Sequence, residues 1–443
     1  MNGKQVSLSA DTLDLLKEKI LKSAIKGKLV PQLDKEPEME QIGDAPEEAP
    51  FEIPPKWKWV KLSVIASSNI GLTYKPTDLI DDLGGTPVLR ANNIQNGKLN
   101  LEGLKRVKGA NQLPKNFVHP GDLLMCARNG SKRLVGKCCL IPELKERMMF
   151  GAFMAVIRSD FSSYLHIFFS SDAFKEYLGS VNTTTINQIT QKNLLNTWVP
   201  LPPLEEQKRI VEKVKCLFSK IDVIQKSKDE VSRLSKSLKK QLLQSSISGK
   251  LVPQLDEELE VEQIGDAPEE VPFEIPEKWK WVRLESLGTL FSGKTPKADE
   301  LTSSGNIPYF KISDMNSSEN QKYMRHTEHY LKTTPKKIFK AGSIIFPKNG
   351  GAVFTNKRRF LVRDSIVDLN TGGFYPNKNY LDESYAFLLL SSIDFREISK
   401  GTALPTIDSS KLKSYLVPLP PLGEQRRIVE KFEKLMLEIQ KLK

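Results

Sequence analysis

The sequence predicts an α+β protein with two globular domains, each with a mixed β core. Long antiparallel coiled-coil-type helices would join the domains in a circular, pseudo-two-fold arrangement. Three observations lead to this prediction: blocks of sequence occur twice, heptad-patterned segments adjoin those blocks, and short β-rich runs fill the stretches between them.

The repeated blocks form a frame around two unlike stretches. Residues 42–62 (IGDAPEEAPFEIPPKWKWVKL) and 264–284 (IGDAPEEVPFEIPEKWKWVRL) differ at three positions. GKLVPQLD occurs at 27–34 and again at 249–256. A VPLPPL-x-EQ block occurs at 199–213 and again at 417–431. The stretches between the blocks, about 63–198 and 285–416, share only scattered patterning. We therefore expect one frame that holds two different domains.

A long helix is predicted between the two domains. Glu205 and Glu206 follow Pro202 and Pro203, and acidic residues favour a helix N-terminus. Apolar residues then follow 4-3-4-3 spacing from Ile210 onward. We expect a coiled-coil-type helix over about 204–246 that acts as a spacer.

The two ends of the chain carry the two halves of the same helical pattern. Residues 12–34 align with 234–256, while the C-terminal heptads repeat the first half of the central helix. The repeat is therefore circularly permuted, and we expect residues 9–26 and 421–443 to meet and pack antiparallel on the central helix. The alternative is that each terminal helix docks on its nearest domain as an ordinary amphipathic helix.

Five segments follow from these patterns. They are an N-terminal helix (1–34), a first domain with an acidic Pro-rich entry (35–200), the central helix (201–256), a second domain with the same entry (257–418) and a C-terminal helix (419–443). The candidate residues of the helical frame and of a partner-docking surface are Leu204, Gln207, Ile210, Val214, Leu217, Ile221, Leu422, Gln425, Ile428, Phe432 and Leu435. The near-identity of the two acidic entries indicates a partner that binds both copies equally.

Inside each domain the order of predicted elements is similar. Both domains open with a Trp-x-Trp strand, continue with β-rich runs, and then have an amphipathic helix and a Thr-rich hairpin or loop. The β-rich runs are 86–94, 120–130, 137–143, 306–315, 341–355 and 359–367; the helices are 163–179 and 383–398; the closing loops are 183–194 and 401–412.

Polar side chains able to contact base edges are concentrated in the turns. Arg and Lys suit guanine O6 and N7, Asn and Gln suit adenine N6 and N7, and further basic residues neutralise phosphates. The first-domain candidates are Arg90, Asn92, Asn93, Arg128, Asn129, Lys132, Arg133, Asn187, Gln188 and Gln191; those of the second domain are Lys311, Ser313, Lys348, Asn349, Lys357, Arg358, Arg359 and Thr406. Each alone could be a solvated loop residue, but as a set they favour a nucleic-acid surface.

Composition agrees with a polyanionic partner in a reducing compartment. The chain of 443 residues has 66 basic and 54 acidic residues, a formal charge of +12 and a pI near 9.2. Four cysteines without CxxC spacing indicate free thiols, and no stretch has the length of a membrane span or the pattern of a signal peptide. We expect a cytoplasmic protein.

Catalytic motifs are weak or missing in the sequence. GSKRLVGKC (130–138) resembles a phosphate loop but has one residue too many and Cys in place of Ser or Thr. His326 and His329 form HxxH without a neighbouring Glu or Cys, which favours a polar turn over a zinc site. No amino-methyltransferase signature occurs, and a nuclease carboxylate pair is left open. We expect neither catalytic residues nor a metal site in this chain.

Three features of the sequence point to one family: the repeated PLPPL-x-EQ blocks with their heptad helices, the W-x-x-L openings at Trp59 and Trp281, and the run GKTP…IPYFKISDM (293–315). By these features the chain resembles the specificity subunit of a type I restriction–modification enzyme. The resemblance covers essentially the whole length. LTYKPTD (72–78) departs from the usual G-x-T-P, which puts the entry loop of the first domain in doubt.

The resemblance implies two target-recognition domains, each reading one half of a split, asymmetric site on double-stranded DNA. It also implies helices that set the spacer between the halves and dock two methyltransferase subunits, with motor–endonuclease subunits completing the complex. S-adenosylmethionine, ATP and magnesium would belong to those partners and not to this chain. The alternatives are a stand-alone DNA-binding regulator and a single-chain restriction or methylation enzyme; the recognised bases cannot be deduced from the residues.

Overall fold

The computed structural model describes residues 10–80, 84–108, 113–181, 187–335, 337–401 and 404–442. The chain divides into two compact units, Met1–Ser227 and Lys228–Lys443. Within the described ranges, no helix combines the length and the apolar character needed to cross a membrane.

The first unit contains a set of short strands between helices, and the last helix continues into the second unit. The elements are α1 (Ala10–Ile25), β1 (Lys58–Lys61), α2 (Leu62–Ile65), β2 (Ser67–Ile70), β3 (Leu79–Ile80), β4 (Thr86–Leu89), β5 (Ile94–Gln95), β6 (Lys98–Leu99), β7 (Lys105–Val107), β8 (Leu123–Cys126), β9 (Cys138–Leu140), β10 (Met149–Phe150), β11 (Met154–Arg158), α3 (Ser162–Phe169), α4 (Asp172–Val181), α5 (Gln191–Leu195), β12 (Trp198–Leu201) and α6 (Leu204–Ile247).

The second unit begins within α6 and repeats the same general order. Its further elements are β13 (Lys280–Arg283), β14 (Gly288–Ser292), β15 (Leu301–Thr302), β16 (Ile307–Phe310), β17 (Tyr323–Met324), β18 (Tyr330–Leu331), β19 (Ile344–Pro347), β20 (Arg359–Leu361), β21 (Ile366–Val367), β22 (Thr371–Pro376), α7 (Glu383–Ser392), β23 (Ser399–Lys400), β24 (Thr406–Ile407), α8 (Ser409–Lys413), β25 (Leu416–Leu419) and α9 (Leu422–Lys441).

The sheets of both units mix parallel and antiparallel pairs, as predicted. In the first unit, one sheet has the order β2-β11-β8-β9 and another has the order β10-β4-β7-β3, in which β10 and β4 are parallel. In the second unit the corresponding orders are β14-β22-β19-β20-β17 and β15-β18-β16-β21, with β17–β20 and β16–β21 parallel. The α+β class with two mixed β cores is confirmed.

Several element boundaries differ from the prediction. The helix expected over 163–179 is two helices, α3 and α4, because the chain turns at Ser170 and Ser171. The β-rich runs form shorter strands than expected, and a 3₁₀ turn interrupts some of them, as at Ala91–Asn93. Part of the predicted closing loops, 183–186 and 402–403, lies outside the described residues.

The repeated blocks build the same two-stranded ladder in each unit. Strand β1 pairs antiparallel with β12, with Trp59 opposite Pro200, and β13 pairs with β25, with Trp281 opposite Pro418. The Phe51 ring meets Trp59 edge-on at 4.9 Å, and the Phe273 ring meets Trp281 at the same distance. The ladder thus joins the beginning of each variable stretch to its end.

An arginine on the helix holds the acidic connector in each unit. Arg209 donates to both carboxylate oxygens of Glu36 at 2.9 and 2.6 Å and to the Pro31 carbonyl at 3.0 Å. Arg427 makes the same contacts with Glu258, at 3.3 and 2.6 Å, and with the carbonyl of the equivalent proline. The hydrogen bonds from Arg209 lower the pKa of Glu36. The connectors are therefore held against the helices at this point rather than acting as free tethers.

The N-terminal helix packs antiparallel on the first part of α6. Lys17 Nζ lies 3.1 Å from Asp222 Oδ1, whereas Gln32 Nε2 lies 3.2 Å from Glu206 Oε2, so the two segments run in opposite directions. Apolar residues of α1 also join the core that contains α3, which agrees with the alternative of docking on the nearest domain. The meeting of α1 with the C-terminal helix stays a prediction.

Many residues expected to form a partner-docking surface are buried inside their own unit. Ile210, Val214, Ile221 and Ile428 belong to hydrophobic cores. Gln207 and Gln425 are also buried, and their side-chain amides donate at 2.8 Å to the carbonyls of Pro202 and Pro420 respectively. These six residues hold the helical frame, which is one of the two roles predicted for them, and their burial corrects the other role, that of a docking surface. Leu204 is exposed, and Leu217, Leu422, Phe432 and Leu435 are half-buried.

We predict that Gly27→Ala destabilises the first unit by about 2–4 kcal/mol. Gly27 has φ of +65°, and an added Cβ would lie 2.1 Å from Pro54 Cγ, so backbone strain and overpacking combine. Gly103 has the same φ with no atom within 4 Å of an added Cβ. Gly103→Ala should therefore cost only about 1–2 kcal/mol. Urea unfolding followed by tryptophan fluorescence measures both, and equal losses would contradict the proposed contact with Pro54.

Candidate nucleic-acid interface

In the first unit, the loop after β8 is fixed by the segment that precedes α5. Ile189 donates its backbone N–H to Ala127 O at 2.7 Å, and Asn129 donates to Asn187 O at 3.2 Å. Arg128 and Gln188 form an isolated antiparallel bridge between these contacts. The Asn187 side chain adds a bond to Gly130 O at 3.1 Å. Polar residues from two distant parts of the sequence thus lie side by side.

The second unit has the same backbone arrangement after β19. Ile407 donates to Lys348 O at 2.9 Å, Asn349 and Thr406 form an antiparallel bridge, and Gly350 donates to Pro405 O at 2.8 Å. By these contacts Arg128 is equivalent to Asn349, and Gln188 is equivalent to Thr406. The prediction placed polar candidates at matching positions, and the backbone pattern agrees with it.

The remaining first-unit candidates differ in exposure. Arg128, Lys132, Arg133 and Asn92 are exposed, whereas Arg90, Asn129, Asn187, Gln188 and Gln191 are half-buried. Gln191 Nε2 donates to Ser68 O at 2.9 Å, so this amide also holds α5 against β2. The exposed basic residues, on and beside the fixed loop, form the clearest cationic surface among the candidates.

In the second unit, several cationic candidates contact neighbouring side chains. Among the candidates, Ser313 and Thr406 are exposed, whereas Lys311, Lys348, Asn349 and Lys357 are half-buried. Lys348 Nζ lies 3.2 Å from Ser292 Oγ, and Lys311 Nζ lies 2.6 Å from His329 Nε2. Lys357 donates to Asn316 Oδ1. These contacts hold the ammonium groups in place near the surface.

Three candidates are inside the fold, which corrects the prediction. Asn93 is fully buried, and its amide accepts from Arg90 N and donates to Asn100 O, both at 2.9 Å. Arg358 is 3% exposed; it donates to the carbonyls of Leu390 and Ile393 at 3.1 and 3.0 Å, and burial lowers its pKa. Arg359 is 9% exposed and donates to the carbonyls of Arg358 and Met315 at 2.8 and 3.0 Å. These side chains are occupied by the backbone and cannot also contact base edges.

Two short turns lie against the polar loops after β8 and β19, and they are not among the candidates predicted from the sequence. Ala152 and Phe153 connect β10 with β11, and Leu369 and Asn370 connect β21 with β22. Phe153 O accepts from the N–H groups of Ala127 and Arg128 at 2.9 and 3.0 Å, so the turn lies against the polar loop. Phe153 lies between two apolar strands in the sequence, so its residue type suggests a core position. In the structure its side chain is 60% exposed.

The weak catalytic patterns acquire structural explanations. The segment 130–138 leads into strand β9 rather than into the helix that a phosphate loop requires. His326 Nδ1 lies 3.7 Å from Glu319, and His329 contacts Lys311. Over the described ranges, no group of three or more His, Cys, Asp or Glu residues is arranged to hold a metal ion.

Comparison with known proteins gives a consistent result for both units. The family model of the type I restriction modification DNA specificity domain matches residues 54–233 and 276–443. The specificity subunit of the type I restriction enzyme EcoKI from Escherichia coli K12 is 27% identical over 411 residues, which cover 86% of this chain and 82% of that protein.

Two solved structures have a similar fold. One, described under the structural basis of complex assembly and conformational transition of the type I R-M system, superposes with a TM-score of 0.66. The HsdS subunit from Thermoanaerobacter tengcongensis superposes with a TM-score of 0.55. Each is 21% identical, with 89% of this chain and 93% of the other covered.

We predict that Arg358→Met affects stability and that Lys132→Ala affects binding of DNA. Loss of the guanidinium removes the donor to four oxygens, two of them the carbonyls of Leu390 and Ile393, which should cost the second unit about 2–4 kcal/mol in urea unfolding. Lys132 is exposed, so its removal should leave unfolding unchanged. If it neutralises a phosphate, the slope of log affinity against log salt should fall by about one. A salt slope altered by Arg358→Met in the folded protein would contradict this assignment.

Proposed function

The chain belongs to the family of type I restriction modification DNA specificity domains, and we propose that each unit reads one half of a bipartite, asymmetric site on double-stranded DNA. The observation that carries this proposal is the equivalence of the two polar surfaces. The contacts around Arg128 and Gln188 recur around Asn349 and Thr406 with the same backbone pattern. The side chains at those positions differ, so the two units would prefer different bases.

We propose that the repeated frame binds partner subunits and does not read the DNA sequence. Two methyltransferase subunits would dock on it, and motor–endonuclease subunits would complete the complex, as the resemblance to type I specificity subunits implies. Leu16 and Leu238 occupy equivalent repeat positions and are exposed to nearly the same extent, 41% and 42%. Equivalent exposed leucines support two equivalent docking places.

Catalysis is assigned to those partners in this proposal. The chain would act in the cytoplasm as a non-catalytic subunit, with S-adenosylmethionine, ATP and magnesium held by the other subunits. The lack of a convincing catalytic pattern in the sequence supports this division of roles. A stand-alone regulator is the competing function, and it would bind one specific duplex as a lone chain.

We predict that replacing residues 63–198 with the corresponding stretch of another family member changes one half of the recognised site. The ladder of β1 with β12 would carry the new domain, while the second unit would keep its own polar surface. Single-molecule sequencing of genomic DNA from expressing cells would reveal the methylated motif.

The reciprocal replacement of residues 285–416 is the matched control and should change only the other half. A replacement that altered both halves, or neither, would overturn the assignment of one half-site to each unit. A purified chain that binds its full site without any partner would favour the regulator instead.

We predict that Leu16→Asp and Leu238→Asp each reduce the number of bound methyltransferase subunits from two to one. A charge at an apolar contact disfavours docking, and the double variant should bind none. Co-purification followed by native mass spectrometry measures the ratio. Leu101→Asp is the control, since Leu101 is 43% exposed but lies in the variable stretch. Two bound subunits on the double variant would exclude these leucines as docking residues.

A further inference from the structure

The Ala152–Phe153 turn presents an aromatic ring that the first unit does not use in its core. Phe153 is 60% exposed although phenylalanine is usually buried. The backbone of the turn is nevertheless fixed, because Phe153 O accepts two N–H groups of the Arg128 loop. An exposed ring on a fixed backbone beside a polar loop is available for contact with another molecule.

The ring lies beside the guanidinium of Arg128. The Arg128 Cζ atom is 5.5 Å from the centre of the Phe153 ring, which is within the range of a cation–π contact. Through the described part of the chain, no side chain or carbonyl accepts a hydrogen bond from this guanidinium. Phe153 therefore restrains Arg128 without occupying the N–H donors of its guanidinium.

The second unit has a different pair at the same two backbone positions. Asn370 O accepts from Lys348 N at 2.7 Å and from Asn349 N at 3.3 Å, just as Phe153 O accepts from Ala127 N and Arg128 N. Position 153 is therefore equivalent to 370, and position 128 is equivalent to 349. Asn349 Nδ2 lies 3.4 Å from Asn370 Oδ1. One backbone arrangement thus holds Arg with Phe in the first unit and Asn with Asn in the second.

We propose that these two positions are a specificity-determining pair, and that in the first unit Phe153 reads the methyl group of a thymine next to a guanine bound by Arg128. Arg binds guanine O6 and N7 in the major groove, and Phe makes apolar contact with the thymine methyl. Successive bases are about 3.4 Å apart along the DNA, so two side chains in contact reach neighbouring base pairs. In the second unit the amides of Asn349 and Asn370 contact adenine instead.

This inference depends on the proposed function, because it assumes that the polar surfaces read DNA. The test uses the full chain with the methyltransferase subunits that co-purify with it, after the methylated motif has been mapped. Synthetic duplexes carry the site with uracil in place of one thymine at a time, or with 7-deazaguanine in place of one guanine. The dissociation constant of each duplex is measured by fluorescence anisotropy.

The expected result is that one uracil substitution, in the first unit's half-site, weakens wild-type binding about fourfold, the effect of one buried methyl group. The same uracil substitution should leave the affinity of the Phe153→Ala variant unchanged. In the same way, 7-deazaguanine at the neighbouring position should leave the affinity of the Arg128→Ala variant unchanged. Asn370→Ala is the matched control, because it changes the equivalent position in the other unit. It should keep the full uracil effect and lose preference only in the second half-site.

Two failures can be told apart. A wild-type complex that prefers no sequence would overturn the proposed function itself. A complex that prefers its site, but whose Phe153→Ala variant still loses affinity on uracil substitution, would overturn only this inference. Thermal unfolding of the three alanine variants checks that the substitutions leave the fold intact.

Discussion

A carboxylate held by one edge of an arginine guanidinium fixes each variable domain on its own helix. Glu36 is 7% exposed, and its two oxygens accept from the Nε and Nη2 atoms of Arg209. A guanidinium fork satisfies both oxygens in one plane, which a lysine cannot do. The same arginine also binds a connector carbonyl at Pro31. The connector therefore reaches the β1–β12 ladder from a fixed point, and everything between those strands is positioned relative to the helix.

The frame extends into the variable stretches through single residues that the repeated blocks do not reveal. Tyr164 on α3 donates its hydroxyl to Pro200 O at 2.6 Å, and Tyr385 on α7 contacts Pro418 O at 3.4 Å. Both tyrosines are buried and pack in the core that contains the ladder. The amphipathic helix of each domain is thus tied to the exit strand, although the two helices share little sequence. The repeated part of the architecture is larger than the repeated part of the sequence.

Local patterns allowed accurate prediction where the physics is local. Heptad spacing and the acidic first turn placed the central helix at 204–246, and α6 spans Leu204–Ile247. Most β-rich runs contain the expected strands because alternation and turn residues act over a few positions. The buried state of Arg358 could not be foreseen in this way, since its acceptors Leu390 and Ile393 are more than thirty residues away.

The same limit explains the missed turn and the residues assigned to docking. Phe153 resembles a core residue until the backbone contacts of its turn are known, and Gln207 resembles a surface residue until its bond to Pro202 O is known. In both cases the polarity of the side chain predicts the opposite of its environment. Contacts with the backbone determine both environments. The Gln207 amide donates to a carbonyl and is therefore satisfied inside the protein, whereas the Phe153 ring lies on a fixed turn and remains mostly exposed.

The equivalence of positions 128 and 153 with 349 and 370 separates the backbone that holds each loop from the side chains that the loop carries. Neither pair of residues is repeated in sequence, yet each has the same backbone hydrogen bonds to the same neighbours. Side chains at positions 128 and 153 can change without loss of these hydrogen bonds, since the bonds are formed by main-chain atoms. The frame, by contrast, depends on side chains such as Arg209 and Glu36, which cannot change independently. A chain built in this way can acquire a new preference in one unit while the partners continue to meet an unchanged frame.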